Sequence, residues 1–114
     1  MAGILDQTID QGTTYTNNIT VYQVDGITPM NLTGYTVASK MRKNHTSSTS
    51  HDITSVLVAP LSSGVIKFSL TSVETAAIKA GYYYYDAEIT SATGNVIRVI
   101  EGKIHIKPNI TKND

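Results

Sequence analysis

From Tyr82 to Ser91 the side chains alternate between two classes. Tyr83, Tyr85, Ala87 and Ile89 fall on one side, and Tyr82, Tyr84, Asp86 and Glu88 on the other. A period of two held over ten residues is the pattern of a half-buried β-strand and does not fit a helix, whose period is 3.6. The next run, Val96 to Lys107, puts Ile100, Ile104 and Ile106 on one face, and Thr93-Gly94-Asn95 joins the two runs. Alternating runs linked by a short Gly-containing turn predict a hairpin. Pro108 ends its second strand, because proline offers no N–H to a ladder.

The same period recurs upstream. Ile4 to Ile9 is a first segment, closed by Asp10-Gln11-Gly12. In Thr13 to Val24, Tyr15, Ile19 and Val21 share a face opposite Thr16, Asn18, Thr20 and Tyr22. Asp25-Gly26 is a hairpin-turn pair, although Pro29 points to a longer connection. Tyr35 to Lys43 turns Tyr35, Val37, Ser39 and Met41 inward, and Ile53 to Ala59 and Val65 to Leu70 follow as two further strands. One stretch departs from the pattern. Thr71-Ser72-Val73-Glu74 is a capping box, and helix formers follow it up to Gly81, so the spacing predicts one short helix over about 72–80. About seven strands at spacings near ten residues predict an all-β fold, an antiparallel immunoglobulin-like β-sandwich, with residues 1–114 as a single domain.

Composition narrows the chemistry. With no cysteine, disulfides, thiolate zinc sites and cysteine nucleophiles are excluded. Nine Lys+Arg balance nine Asp+Glu, and a neutral chain lacks the basic surface that nucleic-acid binding requires. No apolar run approaches the roughly 18 residues of a membrane span, and the first residues carry neither a basic region nor an apolar run of the secretory kind. The 16 Thr and 10 Ser among 114 residues make the four N-x-[ST] sequons, at Asn18, Asn31, Asn44 and Asn109, a by-product of Thr-rich strands.

Few residues are placed for catalysis. His45, His51 and Asp52 could offer metal ligands, but a six-residue spacing in a polar loop gives no convergence, so the two histidines read as solvated loop residues. His105 alternates with Ile104 and Ile106 and should face outward. Asp86 and Glu88 lie roughly 6.5–7 Å apart on one strand face, a separation that glycosidases also use. Their face is the outer one, where an open sheet offers no pocket to raise a pKa. Pairing with Lys103 or Arg98 is the expected fate, and no concave polar pocket is expected. Neither a nucleophile elbow nor a phosphate-cradling Gly loop occurs. The sequence therefore predicts no catalytic, metal or cofactor residues. The tyrosines are more informative. Tyr83 and Tyr85 belong in the core, where each hydroxyl needs a partner. Tyr82 and Tyr84 lie on the outer face as a candidate contact surface, because exposed Tyr is enriched in interfaces.

The order Asp10-Gln-Gly-Thr-Thr-Tyr-Thr-Asn-Asn-Ile-Thr-Val-Tyr, Asn31-Leu-Thr-Gly-Tyr-Thr-Val, Gly64-Val-Ile-Lys-Phe-Ser-Leu-Thr, Gly81-Tyr-Tyr-Tyr-Tyr-Asp-Ala-Glu-Ile and Arg98-Val-Ile-Glu-Gly resembles small immunoglobulin-like virion proteins of tailed bacteriophages, those of cyanobacterial myophages included. It is also similar to the N-terminal domain of phage upper baseplate proteins. The resemblance spans nearly the full chain and its motifs are structural. It implies a non-enzymatic subunit assembled in the host cytoplasm into the tail or baseplate, with other virion proteins and copies of itself as partners. Capsid decoration, or an adhesion module binding carbohydrate through Tyr82 and Tyr84, are the alternatives. Two departures shape what is expected: Asn17 occupies an apolar position of the pattern, and no second domain is expected after Asp114. The expectation is a free-standing subunit, with Ile4 and Leu5 as an exposed arm to be added to a partner.

Overall fold

The computed structural model describes residues 3–23, 25–44 and 49–109. Among them are β1 (Gly3–Ile4), β2 (Gln7–Asp10), β3 (Tyr15–Thr20), β4 (Thr36–Arg42), β5 (His51–Leu57), β6 (Val65–Leu70), β7 (Gly81–Thr90) and β8 (Val96–Lys107), with a 3₁₀ turn at Leu61–Ser63 and α1 at Ser72–Ala77. The fold is all-β. The strands follow the path β1-β8-β7-β4-β5-β6-β3, and β2 also pairs with β8.

One strand bends this path back on itself. The start of β5 pairs with β4 through Met41↔His51 and Ser39↔Ile53, whereas its end pairs with β6 through Thr54↔Ser69 and Leu57↔Ile66. A strand that changes partner midway turns a corner, so the sheet curls into an open half-barrel. Inside the curl lies one apolar cluster. It takes Ile66, Phe68 and Leu70 from β6, Tyr83, Tyr85, Ala87 and Ile89 from β7, and Ile100, Ile104 and Ile106 from β8. These are the inward positions of the period-two pattern, which is why β6 and β8 begin and end where the alternation does.

Three elements differ from the sequence expectation. The segment 4–9 is two short strands, and both run parallel to β8 rather than antiparallel. Between them the Asp6 side chain takes over from the backbone, its Oδ1 accepting the Lys103 N–H at 3.0 Å. The helix carries the expected capping box, with Glu74 N donating to Thr71 Oγ1 at 3.1 Å and Thr71 N donating to Glu74 Oε1 at 2.8 Å. It stops three residues before 80, because Ile78 adopts φ −88 ψ 125 and drops into the core. Gly81 therefore opens β7 instead of ending the helix. Finally, His51 belongs to β5 and turns its ring edge-on to Tyr83 at 6.0 Å between centroids, so it is not a solvated loop residue.

The open side of the curl is sealed by polar side chains. Asn17 faces inward and donates to Gln7 Oε1 at 3.0 Å, and Gln7 Nε2 donates to the Tyr85 hydroxyl at 3.0 Å. That hydroxyl donates in turn to the Leu5 carbonyl at 2.6 Å. Asn17, out of place in an apolar pattern, is thus part of the bridge between β2 and β3. The Tyr15 hydroxyl is buried beside this chain with no hydrogen-bond partner. Burial pushes its pKa up to about 12; the neighbouring Asn17 amide offsets part of that rise and Tyr85 adds to it. Although Asn17 lies close enough to be felt, its amide hydrogen bond runs to Gln7, and the hydroxyl stays unsatisfied.

These two tyrosines should respond differently to loss of the hydroxyl. Tyr85→Phe strands two part-buried partners and should cost about 1–2 kcal/mol. Tyr15→Phe strands none and should be neutral within about 1 kcal/mol at pH 7, or slightly stabilising. Both phenols have raised pKa values in the fold, chiefly through burial, so the unfolded chain ionises first. The stability they contribute is complete below pH about 10 and falls as pH rises from there, for Tyr15 toward 12. Tyr15 should account for about 1 kcal/mol lost by pH 11, allowing for partial exposure, and Tyr85 acts in the same direction. Urea titrations at pH 7, 9 and 11 check this: Tyr15→Phe should flatten the alkaline decline, and an unchanged decline would disprove the assignment.

Candidate partner-binding face

The four consecutive tyrosines of β7 sort by the pleat. Tyr83 and Tyr85 point inward, and the Tyr83 hydroxyl donates to the Lys79 carbonyl at 2.6 Å. With Tyr85 bound to Leu5, both buried hydroxyls have the partners that burial requires. Tyr82 and Tyr84 point outward, at 64% and 39% exposure. Register places Tyr82 opposite His105 and Tyr84 opposite Lys103. Tyr82 and His105 stack, with centroids 4.3 Å apart and planes 10° off parallel. Lys103 Nζ stands 5.9 Å from the Tyr84 ring centroid. His105 is outward, as the alternation predicts, but half-covered by this stack.

Along the same face β7 carries Asp86, directly opposite Glu101 of β8. Like charges facing each other across a ladder are unfavourable, and Arg98 relieves the conflict. Its Nε lies 3.1 Å from Asp86 Oδ2 and its Nη1 3.8 Å from Glu101 Oε2. Arg98 can reach both because the β7–β8 register shifts between Ala87 and Glu88. Lys103 does not pair with these carboxylates; its backbone N–H is held by Asp6.

The face is not flat. A groove of about 570 Å³ crosses it, bordered by Lys40 and Arg42 of β4, Tyr84, Asp86 and Glu88 of β7, Arg98 and Lys103 of β8, and Ile4 of β1. The expectation of no concave polar pocket is therefore corrected. Side chains from four strands border it, and the periodicity of a single strand does not report how they come together. The groove's charges are mixed, with Arg98 paired to Asp86 and Glu101 and Lys40 to Asp52 beyond the border, an arrangement suited to holding a polar surface by many weak contacts.

Ile4 is 80% exposed and Leu5 37%, so both side chains of the arm reach solvent. The arm itself is not loose. Leu5 N donates to the Glu101 carbonyl at 2.9 Å, and Gly3 and Ile4 pair with Ile100 and Glu101. What the arm offers a partner is its side chains and outer edge. Among the described residues no group of three His, Asp or Glu could hold a metal ion; His45 lies outside those residues. No described helix is long and apolar enough to cross a membrane. Thr75, the buried residue of α1, accepts from Gly12 N and donates to the Thr13 carbonyl, and it was not singled out by sequence, since a Thr among helix formers carries no signal of its long-range contacts.

No protein-family model matches the chain, and no curated protein matches it by sequence. Among solved structures, an internalin-like protein of Listeria monocytogenes is similar at 15% identity and a TM-score of 0.45. The match covers 95% of this chain and 28% of that one.

Proposed function

We propose that this chain is a non-enzymatic structural subunit of a tailed-phage virion, an immunoglobulin-like domain held in the tail or baseplate by protein–protein contacts. The observation that carries the reading is the outer face of β7 and β8. Tyr84 and the exposed Ile4 side chain border one concave surface of mixed charge, and the Tyr82–His105 stack lies farther along the same two strands. Exposed aromatics beside an apolar side chain and a polar rim are the composition of an interface. The order of motifs along the chain supports the phage setting. The immunoglobulin-like reading draws support from the strand order, in which β3 and β6 lie across the core from β4, β7 and β8, and a first strand is split along the last. In this reading the partners are other virion proteins, the subunit is assembled in the host cytoplasm, and no cofactor, nucleic acid or membrane is involved.

Quantitative mass spectrometry of purified particles, with tails and heads separated, tests it. A small symmetric copy number with the tails supports the proposal, and hundreds of copies with the heads would replace it by capsid decoration. Tyr82→Ala/Tyr84→Ala should leave the fold within about 1 kcal/mol, since both rings are exposed. It should lower incorporation at least about tenfold, the loss of one modest hot spot. The groove favours one rival reading, a carbohydrate-binding adhesion module, because tyrosine beside carboxylates and Arg98 also suits a sugar. Glycan binding by the isolated chain, abolished by Tyr84→Ala, would favour that rival.

A further inference from the structure

The sheet path ends on β3, which pairs with β6 on one side and with no described strand on the other. Its ladder fixes which groups face outward. Val21 N–H donates to the Gly64 carbonyl at 2.7 Å, and antiparallel pairing alternates along a strand. The backbone groups of Tyr15, Asn17 and Ile19 therefore turn toward β6, and those of Thr16, Asn18 and Thr20 toward the open edge. Natural edges are blunted by lysine, proline, bulges or brevity. The β1–β2 edge follows that rule, being two short strands flanked by Asp6 and Asp10. The β3 edge does not. Thr13 to Gln23 carry no charge and no proline, and β3 is a regular six-residue strand.

We propose that this edge is an interface with a second copy of the chain, formed by antiparallel β3–β3 pairing about a two-fold axis through Asn18. The sequence of the edge is self-complementary in that register. Thr16 meets Thr20 of the partner, Asn18 meets its own counterpart, and Thr20 meets Thr16. Within Tyr15–Thr20 this is the register that uses every outward group, giving up to about six backbone hydrogen bonds. Thr–Thr cross-strand pairs are favourable. The same register sets the exposed ring of Tyr22 opposite Thr14 of the partner at each end. A chain of zero net charge does not repel its copy. Because the contact is isologous it closes as a dimer rather than growing into a fibre. The inference does not depend on the phage reading: it concerns a different edge of the molecule from the β7–β8 face.

Sedimentation equilibrium of the full chain tests it. The wild type should be a dimer at about 0.1 mM, well above a micromolar dissociation constant. Asn18→Pro should be monomeric with an unchanged far-ultraviolet circular dichroism spectrum, because the N–H it removes points away from β6. Asn18→Lys and Asn18→Asp each put like charges on the axis and should weaken the dimer about tenfold. An equimolar mixture of the two should restore it, which a merely structural role for Asn18 would not produce. A monomeric wild type at about 0.5 mM, a dimer unaffected by Asn18→Pro, or a mixture no tighter than its components would each overturn the proposal. Binding of a foreign strand by an otherwise monomeric chain would overturn it too.

Discussion

Gly102→Val should lower stability by about 3 kcal/mol, combining overpacking with lost hydrogen bonds. A side chain at 102 has nowhere to go. Its Cβ would land on the carbonyl oxygen of Leu5, 2.8 Å from the carbonyl carbon and 3.0 Å from Asp6 Oδ1. Two of those contacts are backbone, so no rotamer change relieves them. The arm must lift from β8, and with it go the Leu5–Glu101 hydrogen bond at 2.9 Å and the Tyr85–Leu5 bond at 2.6 Å. Loosening β2 in turn would draw Ile9, buried in the core, toward water. Urea denaturation measures the loss. Deleting residues 1–6 provides the control: in that chain Gly102→Val should cost less than about 1 kcal/mol, because the clashing atoms are gone. Equal costs in the two chains would mean that the arm does not dock where the structure places it.

The arm also shows where sequence reading reaches its limit. Alternation located β6, β7 and β8 almost to the residue, since an inward Ile or Phe at every second position leaves one register that buries it. It marked Tyr83 and Tyr85 as needing partners, while Asn17 stood out only as a departure from the pattern of the resembled family. It could not name those partners, because Gln7, Lys79 and Leu5 come from other parts of the chain. Nor does a period of two distinguish parallel from antiparallel neighbours, so the pairing of the first segment with β8 was out of reach. Gly102, whose missing side chain makes room for that pairing, reads in isolation as a weak spot in a strand.

The candidate site divides in the same way. Tyr82 and Tyr84 were assigned to the outer face by parity, and parity is a local property of one strand. That Tyr82 stacks on His105, that Arg98 sits between Asp86 and Glu101, and that the face carries a groove all depend on which strands are neighbours and which side chains they bring together. His51 failed for a compositional reason: it follows a Ser- and Thr-rich stretch that looks like loop, yet the corner at β5 begins with it.

Thr75→Val should be nearly as damaging as the change at Gly102, although it preserves shape. Thr75 is wholly buried within α1, at the helix position four after the cap, where an apolar residue often packs against the one before the cap. Here the position is polar because the link from β2 to β3 needs it. Gly12 N donates to Thr75 Oγ1 at 3.0 Å, and that hydroxyl donates to the Thr13 carbonyl at 2.8 Å, with the Ser72 carbonyl at 3.2 Å. Gln11 flanks this hub, its Nε2 donating to the Ile78 carbonyl at 2.9 Å and its Oε1 accepting from Asn109 N at 3.2 Å. Valine keeps the volume and removes the oxygen, leaving a part-buried N–H and a carbonyl without partners, for a cost of about 2–4 kcal/mol. Serine keeps the oxygen and loses one methyl group, for about 1 kcal/mol. The order Thr > Ser > Val in denaturation midpoint is therefore the expected result, with valine last where a purely apolar site would put it first. If valine matched or exceeded threonine, the turn between β2 and β3 would be held by packing, and the role of α1 would be to cover the end of the sheet rather than to tie the chain beneath it.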